Sequence, residues 1–332
     1  MYLDQALTAL GRDMRTVALT PAPNDRLDID TLGTRSLSLG TISRLRRSMR
    51  DVDLVISHGS RALPACAAAQ LPSRRRFVFR SIGDGVFYAR TPARRARVWL
   101  YLRKAEAVVA LWPGSADTLA HRYGVPTERI TVIPTGVPAE RFPPVDAERR
   151  TAARAVFGLS DDARVVLSLG WLAREKGVQN AIKAVSAIPE VTLLVAGLGP
   201  ELAALERLAA DVAPGRVRFL GQVDDVSAAM SASDVFVLPS MAEGLPAVII
   251  EAGLTGIPVV TTDVGAVREV IRNEETGIIV PSNDVLALRE GLQRALSDGE
   301  VLAGQLQRHC LEHYEMKVVA RSWDAMLHDL RR

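Results

Sequence analysis

Short runs of apolar residues recur along the whole chain. Runs that are continuous rather than alternating are typical of strands buried on both faces of a parallel sheet. Stretches with helical periodicity lie between several of them, at residues 178–187, 201–211 and 247–254. This alternation predicts an α/β fold in which helices cover parallel sheets. The predicted strands are residues 52–56, 108–111, 130–133, 165–169, 191–196, 235–238 and 259–261.

The strand and helix pattern occurs twice, with a break rich in proline and glycine at residues 134–144. A chain of 332 residues also exceeds the size at which a single hydrophobic core keeps growing. We therefore predict two Rossmann-like, doubly wound domains facing a cleft. The predicted bounds are 1–145 for the N-terminal domain, 146–312 for the C-terminal domain, and 313–332 for a helix returning to the first domain.

The beginning of the chain departs from a doubly wound pattern. Such a domain ordinarily opens with a buried central strand and a glycine-rich turn, whereas this chain shows a helical pattern at 3–10 and then a predicted strand at 16–20. The first strand of the N-terminal domain is missing from the pattern. Either the true start codon lies upstream or this version of the fold begins differently, and the sequence leaves both explanations open.

Composition narrows the class of protein. With 48% hydrophobic and 24% charged residues, the chain is neither disordered nor a disulfide scaffold. Its two cysteines, Cys66 and Cys310, favour a reducing compartment. Asp4 argues against a signal peptide, and no apolar stretch is long enough to span a bilayer. We expect a cytoplasmic protein, located at the inner membrane face if it contacts lipid.

Charge is distributed unevenly. Residues 1–150 hold 24 Lys and Arg against 14 Asp and Glu, and the remainder holds 17 against 24, so the halves carry +10 and −7. A basic half suggests an anionic partner or a negatively charged membrane, although a solvated arginine surface is the plainer interpretation. No nucleic-acid-binding signature accompanies the basic runs. The apolar stripe at 98–101 could contact a membrane, but core packing is the favoured interpretation.

The strongest chemical signal lies at residues 240–253. A predicted strand runs into a loop with Glu243 and Gly244, and Pro246 suits the first turn of the following helix. The free N–H groups of that turn and the helix dipole favour an anion. Glu251, eight residues beyond Glu243, places a second carboxylate about two helical turns along. The pattern suits a ligand with a central diphosphate and hydroxyl groups at both ends.

A second signal lies at residues 168–177, where a strand is followed by Gly170, Trp171 and a cationic loop that opens a helix. Arg174 and Lys176 in that loop could hold a diphosphate. A third glycine turn holds Gly197 and Gly199, for which a tight strand-to-helix connection explains much of the pattern.

Taken together, these segments resemble the GT-B glycosyltransferases of family 4, which are retaining, nucleotide-sugar-dependent enzymes that include phosphatidylinositol mannosyltransferases and sucrose synthases. The resemblance covers nearly the whole chain. It rests on a Glu-x7-Glu motif at Glu243 and Glu251, a Lys-Gly loop at Lys176, a Gly-x-Gly-Pro turn at 197–200, and the segments 133–137, 141–143, 265–269 and 276–277.

The resemblance implies a donor site in the C-terminal domain and an acceptor side in the N-terminal domain. It implies that Glu251 binds the ribose and that Glu243 holds the donor sugar, whereas Lys176 binds the diphosphate. Catalytic roles then fall to Glu243, Lys176 and Arg174. The remaining implied donor contacts are Gly170, Gly197, Gly199, the main chain of Val223, and the backbone of Gly244 and Leu245.

Two positions depart from the family pattern. Trp171 occupies a place where an arginine is usual, and Arg174 is our hypothesis for the replacement charge. A histidine usual near the donor sugar is also missing. Arg80 or Asp84 could take over its role, and His58, at the end of a predicted strand, is a further candidate with a plain loop histidine as the alternative.

The resemblance further implies front-face transfer without an enzymic nucleophile, a metal or another cofactor. The sequence gives neither the donor base and sugar nor the acceptor, for which anionic and lipid-linked molecules are candidates. Two alternatives stay open. One is a non-catalytic homologue that binds nucleotide sugar, and the other is a nucleotide-sugar epimerase, which the Glu-x7-Glu spacing disfavours.

Overall fold

The computed structural model describes residues 2–21, 29–70, 76–82 and 91–330. They form two compact units. The first comprises the described residues up to Thr135 together with those from Val319 onwards, and the second is Gly136–Val318. Each unit is built on one parallel sheet flanked by helices, which confirms the predicted fold class.

The first unit has a four-stranded parallel sheet in the order β1-β2-β3-β4. Its strands are β1 Val55–His58, β2 Phe77–Arg80, β3 Ala107–Ala110 and β4 Ile130–Val132. Its helices are α1 Tyr2–Ala9, α2 Leu39–Ser48, α3 Gly59–Ala69, α4 Pro92–Leu102 and α5 Pro113–Asp117, followed by a π-helical turn at Thr118–Arg122 and a 3-10 turn at Thr127–Arg129.

The strand predicted at residues 16–20 is not formed. Within it only Ala18 makes a backbone bridge, a parallel one to Thr31, while Val17 and Leu19 pack partly buried against the core. Apolar side chains alone therefore gave the strand pattern there. Among the described residues the first sheet runs in chain order, as expected for a sheet that lacks a central first strand from which the winding could reverse.

The second unit has a six-stranded parallel sheet in the order β10-β9-β8-β5-β6-β7. Its strands are β5 Arg164–Leu169, β6 Val191–Ala196, β7 Val217–Gly221, β8 Val235–Leu238, β9 Val259–Thr262 and β10 Ile278–Val280. Its helices are α6 Ala147–Val156, α7 Val178–Ser186, α8 Leu202–Val212, α9 Val226–Ser231, α10 Ala247–Thr255, α11 Val267–Val270, α12 Val285–Asp298 and α13 Glu300–His313, with 3-10 turns at Ala139–Arg141 and Arg174–Lys176. The last helix, α14 Met316–Asp329, begins in this unit and continues into the first.

The second sheet is doubly wound. The chain starts at β5 in the centre, adds β6 and β7 on one side, and returns to β8, β9 and β10 on the other. Helices cover both faces, so strand residues such as Val166, Leu193 and Val237 are fully buried. This burial explains the continuous apolar runs in the sequence. The winding reverses between β5 and β8, and ligands of doubly wound sheets bind beyond the carboxyl ends of the strands at such a point.

Helix α4 packs differently from the favoured sequence interpretation. Val98 and Tyr101 lie partly buried against the core, whereas Trp99 is 38% exposed and Leu100 is 51% exposed. The interpretation of the whole stripe as core is therefore wrong for Trp99 and Leu100, because the helix presents them on its outer face. Within the described part of the chain, every helix is too short or too polar to cross a bilayer.

Candidate functional site

The loops that follow β5 and β8 contact each other through their backbones at the point where the winding reverses. The backbone N–H of Met241 donates to the carbonyl oxygen of Glu175 at 2.7 Å. Gly177 adopts the left-handed conformation at φ 67°, and a Cβ there would lie 1.9 Å from the carbonyl oxygen of Pro239. Only glycine satisfies both requirements. Gly177 thus allows the loop carrying Lys176 to rest directly on the loop carrying Glu243.

Lys176, which is predicted to bind the diphosphate, forms an ion pair with Glu243, which is predicted to bind the donor sugar. The Lys176 ammonium lies 2.7 Å from Oε1 of Glu243, and the hydroxyl of Ser240 donates to the same oxygen at 2.7 Å. The Glu243 side chain is 9% exposed and that of Lys176 is 30% exposed. A shielded carboxylate of this kind needs such donors, because an unpaired charge in this position would be costly.

A third loop, after β9, holds the other side of the Glu243 loop. The N–H of Ala266 donates to the carbonyl oxygen of Gly244 at 3.0 Å. Gly265 has φ 57°, and a Cβ on it would lie 2.1 Å from the carbonyl oxygen of Glu243. Leu245 is buried. The backbone of residues 243–245 is therefore fixed before any ligand binds.

A fourth loop, after β6, is packed against the Gly170 turn. A Cβ at Gly197 would lie 1.8 Å from the carbonyl oxygen of Gly170, and one at Gly199 would lie 2.3 Å from that of Leu172. Both glycines thus serve close backbone packing, as the structural interpretation of this turn anticipated, and their donor contacts stay a prediction. The N–H of Gly197 also donates to the carbonyl oxygen of Gly221 at 2.7 Å, just ahead of the half-buried Val223.

Helix α10 begins one residue later than the sequence suggested. Pro246 occupies the N-cap position rather than the first turn. Glu243 lies in the loop ahead of the helix and Glu251 lies on its second turn, so the eight-residue spacing is not two turns of one helix. The free N–H groups at the start of α10 follow the Glu243 loop directly, which retains the predicted anion preference.

Glu251 has an unusual titration. Burial raises the pKa of its carboxyl to about 7, and the positive charge of Arg141 opposes part of that rise. Arg141 stands at the end of the 3-10 turn Ala139–Arg141. The sequence drew attention to residues 141–143 only as part of a family segment and assigned Arg141 no role. A cation within the proline- and glycine-rich break at residues 134–144 was the available signal.

Two further residues of the β5 loop lie at the surface. Arg174 is exposed in the same 3-10 turn as Lys176. The indole of Trp171 is 60% exposed. The hypothesis that Arg174 supplies the charge missing at position 171 stays a prediction.

The candidates in the N-terminal half belong to the first unit. His58 ends β1 and Arg80 ends β2, and the two residues are paired in the parallel register. The Arg80 guanidinium donates to the Thr135 hydroxyl at 3.4 Å and lies 6.0 Å from the centre of the Trp323 ring. Partial burial and the Arg80 charge lower the pKa of His58 to about 4. Asp84 lies outside the described residues.

No group of three or more His, Cys, Asp or Glu side chains that could hold a metal ion is found in the described ranges of the chain. The absence of a metal or another cofactor from the reaction stays a prediction.

The fold defines the class of the protein. Two α/β units with parallel sheets are the GT-B architecture. A solved sucrose-phosphate synthase from Thermosynechococcus elongatus superposes on the chain with a TM-score of 0.82 at 24% identity, covering 99% of this chain and 91% of that one.

Sequence comparison then gives the family. Residues 3–141 match the family described as Glycosyltransferase Family 4, and residues 149–310 match the one described as Glycosyl transferases group 1. The chain belongs to glycosyltransferase family 4.

Two curated relatives illustrate the similarity. A lipopolysaccharide core biosynthesis glycosyltransferase of Rhizobium meliloti is 32% identical over 66% of this chain and 66% of the relative. A GDP-mannose-dependent monoacylated alpha-(1-6)-phosphatidylinositol monomannoside mannosyltransferase of Corynebacterium glutamicum is 34% identical over 50% of this chain and 46% of the relative. The match thus spans about half to two thirds of the length of these relatives.

Proposed function

We propose that this protein is a retaining glycosyltransferase that transfers a sugar from a nucleoside diphosphate donor to an acceptor. One observation carries the proposal. Lys176 and Glu243 meet at 2.7 Å beyond the carboxyl ends of β5 and β8, directly ahead of the N-terminus of α10. Family membership supports the same reaction class, and one relative is named as using GDP-mannose.

The geometry suggests how donor binding would proceed. A diphosphate entering this loop cluster is a doubly charged competitor for the Lys176 ammonium, which Glu243 holds in the free protein. Transfer of the ammonium to the diphosphate frees the Glu243 carboxylate to accept hydrogen bonds from sugar hydroxyls. The ionised Glu251 carboxylate would accept from the ribose hydroxyls in the same way. Each carboxylate then acts as an acceptor and neither as a nucleophile.

The proposed chemical step is substitution on one face of the sugar. The bond from the anomeric carbon to the diphosphate oxygen breaks, and a bond from that carbon to the acceptor oxygen forms on the same face. The acceptor proton passes to the departing phosphate oxygen, which keeps the charges balanced. Lys176, Arg174 and the α10 N-terminus stabilise the negative charge that grows on the leaving group.

The acceptor is proposed to be an anionic or lipid-linked molecule reached at an anionic membrane surface on the cytoplasmic side. Helix α4 supports this proposal. It exposes Trp99 and Leu100, carries three arginines and contains no acidic residue. Arg103 stacks over the Trp99 ring at 4.7 Å. Arginine beside exposed tryptophan and leucine is the pattern of a helix that lies in the membrane interface. One relative is named as acting on an acylated phosphatidylinositol mannoside.

The first test is a donor screen. Purified protein is incubated with UDP-, GDP- and ADP-sugars, and release of nucleoside diphosphate by transfer of the sugar to water is measured for the wild type, Glu243→Ala and Glu175→Gln. Glu175 is an exposed acid on the neighbouring loop and serves as the matched control. We expect one donor to be turned over by the wild type and by Glu175→Gln, with Glu243→Ala losing about 10²-fold or more.

Each other outcome identifies an alternative. Nucleotide binding without turnover for any donor would support the non-catalytic homologue. Conversion of the donor into its epimer, with no nucleoside diphosphate released, would support an epimerase. Full activity of Glu243→Ala would show that the loop cluster is not the reaction site.

A further inference from the structure

Among the described residues, Arg80 is a shielded cation without an anionic partner. Its Nε atom is inaccessible to solvent and has no hydrogen-bond partner among the described residues, and its only side-chain hydrogen bond there is the 3.4 Å contact to the Thr135 hydroxyl. Arg154 of the second unit differs from Arg80 in this respect. Arg154 is 4% exposed, but Asp234 lies 2.9 Å from its guanidinium. The described part of the first unit thus leaves the Arg80 guanidinium without a counter-charge.

An uncompensated guanidinium has a physical cost. Removing a cation from water without a counter-ion remains unfavourable even after the surrounding protein relaxes. In agreement with this cost, burial lowers the pKa of Arg80 to about 10. An anion bound from outside the chain would offset this cost by neutralising the guanidinium.

The neighbours of Arg80 are also donors. Trp323 is fully buried, and its indole Nε1 has no hydrogen-bond partner within the described ranges. Its ring centre lies 6.0 Å from the Arg80 guanidinium. The Thr135 hydroxyl can both donate and accept. A phosphate or carboxylate group has several lone pairs and can therefore accept from N–H groups of two different side chains.

We propose that Arg80, Thr135 and Trp323 form an oxyanion-binding subsite at the carboxyl end of β2. The subsite takes a phosphate or carboxylate group, and under the proposed function this group belongs to the acceptor. Only that last assignment depends on the proposed function. The binding of an oxyanion itself is a property of the first unit and is tested without any sugar donor.

The test uses inorganic phosphate and acetate as probes on the full-length protein. Melting temperature is followed in separate titrations at constant ionic strength, with sodium chloride as the reference salt. The variants are Arg80→Met, Thr135→Val, and Arg61→Met as the control, because Arg61 is an exposed arginine of α3 in the same unit. Lys176→Gln is included to detect phosphate that binds in the other unit.

We expect at least one probe to raise the melting temperature of the wild type, Arg61→Met and Lys176→Gln in a saturable way. Arg80→Met should lose that response, and Thr135→Val should need a several-fold higher probe concentration. A stronger response to phosphate than to acetate would assign the subsite to phosphate, and the reverse would assign it to carboxylate. Because Arg80→Met removes an uncompensated charge, its melting temperature without either probe should equal or exceed that of the wild type.

Three results would overturn the proposal. The wild type could show no saturable response to either probe, or Arg80→Met could keep the response while Lys176→Gln loses it. Arg80→Met could also melt clearly below the wild type without probe, which would make Arg80 a structural residue. None of these results bears on donor turnover, so failure of the subsite is distinguishable from failure of the proposed function.

Discussion

The two sheets present their carboxyl ends in different ways. In the second unit, glycines 177, 197, 199 and 265 let the loops after β5, β6, β8 and β9 touch through their backbones, and the Glu243 carboxylate is already paired. In the first unit, β2 ends at Arg80, which has an N–H group without a hydrogen-bond partner among the described residues. The candidate donor site of the second unit is therefore formed before a ligand arrives, whereas the proposed subsite of the first unit is one that a ligand would complete.

This difference has a physical origin. A doubly wound sheet has two neighbouring central strands whose following helices lie on opposite faces of the sheet, so the loops between strand and helix can enclose a ligand. The described strands of the first unit wind in one direction and offer no such point. We therefore expect recognition at the first sheet to depend on individual charged side chains. Residues 1–135 and 319–332 of the first unit hold 24 Lys and Arg against 13 Asp and Glu, whereas residues 136–318 hold 17 against 25, so the net charges of +11 and −8 agree with that division.

The largest expected effect comes from removing the close loop contact in the second unit. Gly177→Ala should destabilise the protein by about 3 kcal/mol or more, since it combines a left-handed backbone with a 1.9 Å collision against the Pro239 carbonyl oxygen. Chemical denaturation measures the change. Donor binding should weaken in the same variant, because the Lys176 loop must move.

Two other glycines separate the effect of the left-handed backbone from the effect of the steric collision. Gly158→Ala has φ 60° but open space, and should cost about 1 kcal/mol. Gly304→Ala lies in α13 with nothing within 4 Å, and should stabilise by about 0.5–1 kcal/mol. If Gly177→Ala were no worse than Gly158→Ala, the loop contact would not be a source of rigidity.

A smaller effect is expected from the titration of Glu251. Its folded pKa of about 7 exceeds the ordinary 4.5, so folding disfavours the ionised form. This group's contribution to stability is complete below pH 4.5 and declines as pH rises to about 7, by up to about 3 kcal/mol. Glu251→Gln should remove that decline and melt higher relative to the wild type at pH 8 than at pH 5.

Nucleotide affinity should increase as pH rises, whereas the contribution of Glu251 to stability declines. If the ionised carboxylate accepts the ribose hydroxyls, the wild type should bind nucleotide more tightly at pH 8 than at pH 6, and Glu251→Gln should lose this dependence. An unchanged pH profile in the variant would remove Glu251 from the donor site.

The smallest expected effect concerns the outer face of α4. Replacing Trp99 and Leu100 together by serine should lower partitioning onto vesicles containing anionic lipid by about tenfold, because two apolar side chains no longer enter the interface. Sedimentation with vesicles measures it. Val156→Ser, which removes a 74% exposed side chain from the second unit, is the control. Equal loss in the control would mean that binding is unspecific, and no loss in the double variant would exclude α4.

Much of the second unit could be predicted from sequence, for identifiable reasons. Strands β5, β6, β8 and β9 are buried on both faces, so their runs are continuous, and the motifs around Lys176 and Glu243 were recognisable by spacing. Strand β10 was not predicted, because Ile278–Val280 has only three residues. The Gly177 contact with Pro239 could not be read from the chain, since it joins positions far apart in sequence.

The first unit was less predictable. The apolar residues at 16–20 match a strand pattern, yet backbone pairing of only one of them shows that pattern alone does not supply a neighbouring strand. Periodicity identified α4 but could not tell whether another element covers the face with Trp99 and Leu100. Arg80 lacks an anionic partner in the described part of the chain because of the side chains that surround it, which a single sequence does not reveal.

Calorimetric titration of GDP and UDP into the wild type, Lys176→Gln and Lys183→Gln tests the central claim most directly. Lys183 is an exposed lysine of α7 and serves as the matched control. The account predicts that the wild type and Lys183→Gln bind at least one nucleotide equally well, and that Lys176→Gln binds it at least tenfold more weakly. Equal affinity in all three proteins would contradict the placement of the diphosphate at the Lys176 loop.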